Sequence, residues 1–140
     1  MLMGLARFGV SLEKDLLNRF DKLCSDNRYS NRSEAIRDLI RDALVKKEWT
    51  LTKGIVTGVI SLVYDHDKRE LVDNLIDIEH SHQQVIIASQ HIHLNAHNCL
   101  EVIVIKGSPK EAKSLASSLR SANGVKHGEL VMTTLGEGMK

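Results

Sequence analysis

From Ala6 to Leu12 apolar and polar positions alternate, with Ala6, Phe8, Val10 and Leu12 on one side and Arg7, Gly9 and Ser11 on the other, and this period of two predicts a strand with one apolar face. Straight after it the period changes. Leu16, Leu17, Phe20 and Leu23 fall at helical spacing, and Ser11 is a natural N-cap for the helix they predict. In "NRSEAIRDLIRDALVKK", Asn31 followed three residues later by Glu34 reads as a capping box, and Ile36, Leu39, Ile40, Ala43 and Leu44 form one stripe of a second helix. Beyond the connector "KKEWTLTKG" the pattern predicts strand 54–64, helix 68–81, strand 85–94, strand 99–106, helix 109–122 and strand 125–134. The later helix is sharply marked: Ser108 and Glu111 form a capping box, Pro109 takes the first helical position, and "NG" at 123–124 is the stop.

These elements make an α+β chain of two parts. Residues 1–50 read as a βαα module and residues 51–140 as βαββαβ, the order of a ferredoxin-like split-βαβ sandwich. A lone strand leaves its backbone groups unpaired and its apolar face uncovered, so the strand at 6–12 needs a second copy of the chain. Paired with its two-fold mate over four short helices, it forms a ribbon that displays Arg7, Gly9 and Ser11 twice. Such a ribbon fits the major groove of double-stranded DNA, where Arg and Ser can reach base edges. The start of the second helix, with Asn31, Arg32 and Ser33, offers unpaired amides and a positive dipole end to a phosphate. The small sheet of the second part has its own helices on one face and leaves the other for association between subunits.

Composition adds little. At 42% hydrophobic and 26% charged the chain is an ordinary globular one. Its longest apolar run, "GIVTGVISLV", is far short of the roughly 20 residues of a spanning helix, and no signal-peptide layout opens the chain, so a cytoplasmic location is expected. A net charge of +1, with a small positive excess confined to the first fifty residues, permits a nucleic-acid partner and does not demand one.

The chemistry is concentrated in "HIHLNAHNC", residues 91–99. His91 and His93, two apart on a strand, project from one face, and a turn brings Cys99 back on the adjacent strand, so three donors can converge. His97 falls in the turn, as a solvated neighbour. Two imidazoles and a thiolate exclude calcium and magnesium and leave zinc, copper, nickel or cobalt. His80 and His82, at the end of the preceding helix, are the candidates for a fourth donor, within the subunit or across an interface. Glu101, two residues past Cys99 on the same face, is placed to accept from an imidazole N–H or to stand as a solvated charge. No base and orienting group accompany the thiol, so an enzyme is not expected.

"RFGVSL" followed by "YSNRSEAIRDLIRDAL" resembles the ribbon-helix-helix transcription factors, with Gly9 standing where that family has a polar reading residue. The second half resembles regulators of the ACT type, and "IEHSHQQVIIASQHIHLNAHNCLE" resembles the nickel-responsive regulators that repress nickel-uptake genes. The resemblance implies square-planar Ni(II) held by His91, His93 and Cys99 of one subunit and His80 of a neighbour, with His82 a bystander or low-affinity ligand. It also implies a homotetramer built as a dimer of dimers on palindromic operator DNA. Lys68 and Arg69 would contact the DNA backbone, and Glu34 and Asp38 would hold K+ between the domains. The other reading of the same residues is a metal-binding or amino-acid-binding ACT regulator that answers to Cu, Co, Zn or another ligand.

Overall fold

The computed structural model describes residues 4–139, and the chain divides into two compact units, one up to Arg41 and one from Asp42. In the first unit α1 spans Lys14–Asp26 and α2 begins at Arg32; α2 runs on to Glu48 and so ends in the second unit. The side chain of Asn31 caps α2, accepting from the amide of Glu34 at 2.9 Å. Only this half of the expected capping box forms, because the Glu34 carboxylate turns to Arg37 instead. Arg28 sits at φ 61° in the tight turn between the helices.

One expectation for this unit is corrected: Glu13, not Ser11, holds the N-cap position of α1, and its side chain makes no capping bond. In the single chain residues 4–13 carry no strand. The reason is the one that made the strand incomplete in sequence: within one chain the segment has no ladder partner. Leu5, Phe8, Val10 and Leu12 are accordingly exposed, as are Leu16, Leu23, Leu39 and Ile40 on the helices, while Cys24 and Ala35 are the buried residues of α1 and α2. At about 25 cal/mol per Å² of apolar surface, this much exposed hydrocarbon is a large driving force for association.

The second unit follows the predicted order closely: β1 Val56–Asp65, α3 Arg69–Ser81, β2 Ile86–His93, β3 Asn98–Gly107, α4 Pro109–Arg120 and β4 Val125–Thr133. All pairings are antiparallel, in the order β2-β3-β1-β4. The complete Ser108–Glu111 capping box and Pro109 start α4 where expected; α4 stops at Arg120, three residues before the "NG" signal, and Gly124 serves the turn at φ 102°. Burial alternates along β1 and β3. Ile60, Leu62, Ile103 and Ile105 face Leu71 and Leu75 of α3 and Leu115 and Leu119 of α4, all of them core residues. The other face, with Val59, Val63, Leu100, Val102 and Val104, has no helix and stays half-buried.

Trp49, just past α2, closes one end of this core at 1% exposure, its indole N–H donating to the carbonyl of Thr133 at 2.9 Å and its own carbonyl accepting from Lys113 at 2.8 Å. Gly58 makes room for it: a Cβ there would stand 2.7 Å from the carbonyl oxygen of Val131 and 3.3 Å from the indole. Among the described residues no helix is long and apolar enough to cross a membrane.

Candidate metal centre

The β2–β3 ladder sets His93 directly opposite Cys99 and His91 opposite Glu101. Because side chains alternate in a strand, all four point to the face that carries the helices. There they line a cavity of about 520 Å³ that α3 closes with Glu79 and His80 and β1 with Tyr64. Cys99 is 1% exposed, whereas His91, His93 and His80 are open to solvent. The four expected donors therefore share one cavity, and His80 reaches its rim from the same chain. They do not yet converge: among the described residues, the one group of three or more His, Cys, Asp or Glu with ligand atoms within 4.8 Å of one another is Asp65, Asp67 and His97.

The remaining histidines have distinct surroundings. The His66 ring stacks on His93, with centroids 4.6 Å apart and planes within 9°. Its Nε2 is buried with no hydrogen-bond partner. His82 donates from Nδ1 to the carbonyl of Ile78 at 2.9 Å and so closes the end of α3, which occupies one of its two ring nitrogens. His97, in the hairpin turn as expected, is exposed and meets the Asp67 carboxylate at 2.9 Å. That hydrogen bond holds the His97 pKa above the ordinary histidine value and Asp67 below the ordinary carboxylate value.

Glu101 is not the solvated charge that sequence left open. It is 0% exposed and accepts from the Tyr64 hydroxyl at 2.9 Å. Burial, then the Glu101 carboxylate beside it, pushes the Tyr64 phenol far up. Burial, then Glu101, likewise pushes the Glu79 carboxyl up to about 8. Tyr64, Glu79 and His66 were missed in sequence. Only "YDH" at 64–66, ending a strand beside the metal-bearing hairpin, hinted at two of them.

The residues expected to meet DNA are spread along the chain. Arg7, Gly9 and Ser11 are exposed before α1, Ser33 is exposed at the start of α2, and Lys68 and Arg69 are exposed at the start of α3. Asn31 is occupied as the cap of α2, and Arg32 holds Asp21 through two hydrogen bonds of 2.8 and 2.9 Å. Glu34 and Asp38, one turn apart on α2, are each engaged inside the first unit, with Arg37 and with the Tyr29 hydroxyl.

The donor set fits a late first-row cation, since a buried thiol and two imidazoles on one wall, with a further histidine lining the same cavity, offer nitrogen and sulfur together. Comparison with known proteins points the same way. Residues 57–133 match the family described as NikR C terminal nickel binding domain, and residues 6–47 match that of ribbon-helix-helix proteins of the copG family. A candidate nickel-responsive regulator of Pyrococcus furiosus is 52% identical over 134 residues, covering 96% of this chain and 97% of the relative. Similarly described proteins of Nitratidesulfovibrio vulgaris and Geobacter sulfurreducens are 52% and 51% identical over 131 residues, each covering 94% of both chains. Among solved structures, an uncharacterised protein of Thermotoga maritima superposes with a TM-score of 0.53 at 13% identity, over 58% of this chain and all of its own.

Proposed function

We propose, from the premise that the chain belongs to the nickel-responsive regulators with an N-terminal ribbon-helix-helix domain and a NikR-type C-terminal domain, that it is a nickel-dependent repressor of nickel-uptake genes. In this reading residues 1–50 bind palindromic double-stranded operator DNA as a dimer, and residues 51–140 bind Ni(II) and associate into a cytoplasmic homotetramer. The chain regulates and does not catalyse.

One observation carries the metal half: the register that faces His93 with Cys99 and His91 with Glu101 inside a cavity whose rim holds His80. His91, His93 and Cys99 would hold the cation from one subunit and His80 from a neighbour. Bound there, Ni(II) would supply bonds that link the last turn of α3, through His80, to a β2–β3 hairpin. Cys99, in the core of the sheet, would offer a fixed sulfur, and His91 and His93, at the open side, have room to turn toward it. The DNA half is supported by the exposed apolar face at Phe8, Val10 and Leu12, which a second copy covers, leaving Arg7, Gly9 and Ser11 for base edges. Asn31, Arg32 and Ser33 then lie at a helix N-terminus suited to phosphate, and Lys68 and Arg69 add backbone contacts. Glu34 and Asp38 would hold K+ once released from Arg37 and Tyr29.

The test is operator affinity at fixed ionic strength for metal-free protein, Ni(II)-loaded protein and Cys99→Ala. Ni(II) should tighten binding, operator DNA should tighten Ni(II) binding by the same factor, and Cys99→Ala should lose both effects. Equal operator affinity with and without Ni(II) refutes the reading.

A further inference from the structure

His66 lies just past Asp65, the last residue of β1, and its ring lines the same cavity as Tyr64, two residues before it. Its backbone N–H donates to the carbonyl of His97 at 3.0 Å, which ties this point of the chain to the β2–β3 turn. In the sheet β3 lies between β1 and β2, so His66 and His93 start from strands roughly 10 Å apart. Their rings nevertheless meet, with centroids 4.6 Å apart and planes within 9°. They meet across the strand that carries Cys99, a residue that the ladders set opposite Tyr64 on one side and His93 on the other.

The two imidazoles are not held alike. His93 is exposed on a strand at the border of the sheet, whereas the side chain of His66 is only 25% exposed and its Nε2 is buried. Among the described residues that nitrogen has no hydrogen-bond partner, so packing keeps this side of the ring in place. His66 is therefore the fixed surface, and His93 is the ring that settles on it. A ring nitrogen binds a cation along its lone pair, which lies in the plane of the imidazole. Whatever sets the plane of His93 thus sets the directions from which it can bind. A loose side chain must give up its freedom on binding, and a neighbour that removes that freedom beforehand lowers the cost.

We infer that His66 is a positioning residue of the metal centre: its ring is a flat wall on which His93 stacks, so that the plane of the His93 imidazole is set before a cation arrives. His66 acts as a surface and not as a ligand. The stack stands on the geometry alone; its consequence for metal rests on the function proposed above.

The experiment uses the full chain, stripped of metal and labelled with 13C in histidine. Relaxation of the ring carbons reports how ordered the His93 ring is, with its signals identified by their loss in His93→Asn. Wild type should show an ordered ring. His66→Ala should loosen it, and Ni(II) affinity, measured against a competing chelator, should fall by about 3-fold to 10-fold, the scale of one aromatic pair, with unchanged stoichiometry. His66→Phe keeps a flat ring and has no lone pair to offer, so it should retain both the ordered His93 ring and the wild-type affinity. A His93 ring equally ordered in wild type and His66→Ala overturns the inference, and so does wild-type Ni(II) affinity in His66→Ala. A His66→Phe protein that loses as much affinity as His66→Ala also overturns it, because His66 would then be acting through its nitrogens. If wild type binds no Ni(II) while His66→Ala loosens the His93 ring and His66→Phe does not, the nickel reading fails and the stacking role survives.

Discussion

Trp49 is the chain's single tryptophan, and replacing it gives a quantitative test of how the end of α2 is fastened. The indole is 1% exposed, touches the notch left by Gly58, and spends its N–H on Thr133. Truncating a buried aromatic to alanine costs about 3–5 kcal/mol in transfer and cavity terms. The lost hydrogen bond adds about 1 kcal/mol or less, because Thr133 is exposed and water can reach its carbonyl. Trp49→Ala should therefore lose about 4 kcal/mol. Trp49→Phe, which keeps most of the apolar contact and forfeits the N–H, should lose roughly 1–2 kcal/mol. Urea unfolding followed by far-UV circular dichroism at one fixed protein concentration measures both, and in wild type the fluorescence of Trp49 supplies a second probe of the same transition. A loss below about 1 kcal/mol for Trp49→Ala, with an unchanged m-value, would refute the claim that this side chain closes the core.

Two further outcomes follow from the geometry. Gly58→Ala places a methyl 2.7 Å from a backbone oxygen on the neighbouring strand, which cannot retreat without parting β1 from β4, so it should destabilise by about 1–3 kcal/mol; wild-type stability in urea would show that the strands have room to spare. Asp67→Asn should bring the His97 pKa back down, read by NMR titration, and an unmoved value would break the pair. The sign of its stability effect is set at both ends of the pH scale: the raised His97 contributes fully below about 6.5 and fades as pH climbs through its folded value. Asp67, lowered, contributes above about 3.9 and fades as pH falls through its folded value, so the pair acts in the window between.

Residues 54–134 were legible because each element carries its own period and stop signals, and because strands and helices there find their partners inside the chain. Ser108, Pro109 and Glu111 fixed the start of α4 to the residue. The segment 6–12 shows the opposite case. Its alternation is as clean as that of β1, but hydrogen bonds and burial must come from outside the chain, and a period cannot supply them. At the site, His91, His93 and Cys99 were visible because a hairpin returns nearby residues to one face. Tyr64 and Glu79 were not, since their meeting with Glu101 depends on the pairing of β1 with β3 and on how α3 lies across the sheet. The Asp21–Arg32 pair was hidden for a related reason: eleven residues and a turn at Arg28 separate partners that no helical spacing connects.

The strand that bears His91 and His93 lies at the border of the sheet. Among the described residues β2 has β3 on one side and no strand on the other, and its pairing slips between Ile86 and Ala88. Cys99 lies on β3, held by ladders on both flanks. Amide exchange should accordingly be fast along the outer row of β2 and slow along β3, because an outermost strand opens at a fraction of the global unfolding energy. A thiol set in the stiffest part of the sheet works as an anvil, and the two imidazoles ride on a spring. If His91, His93 and Cys99 hold an ion as proposed, the adjustment to its size would fall on the strand that is cheapest to bend, and that strand would stiffen.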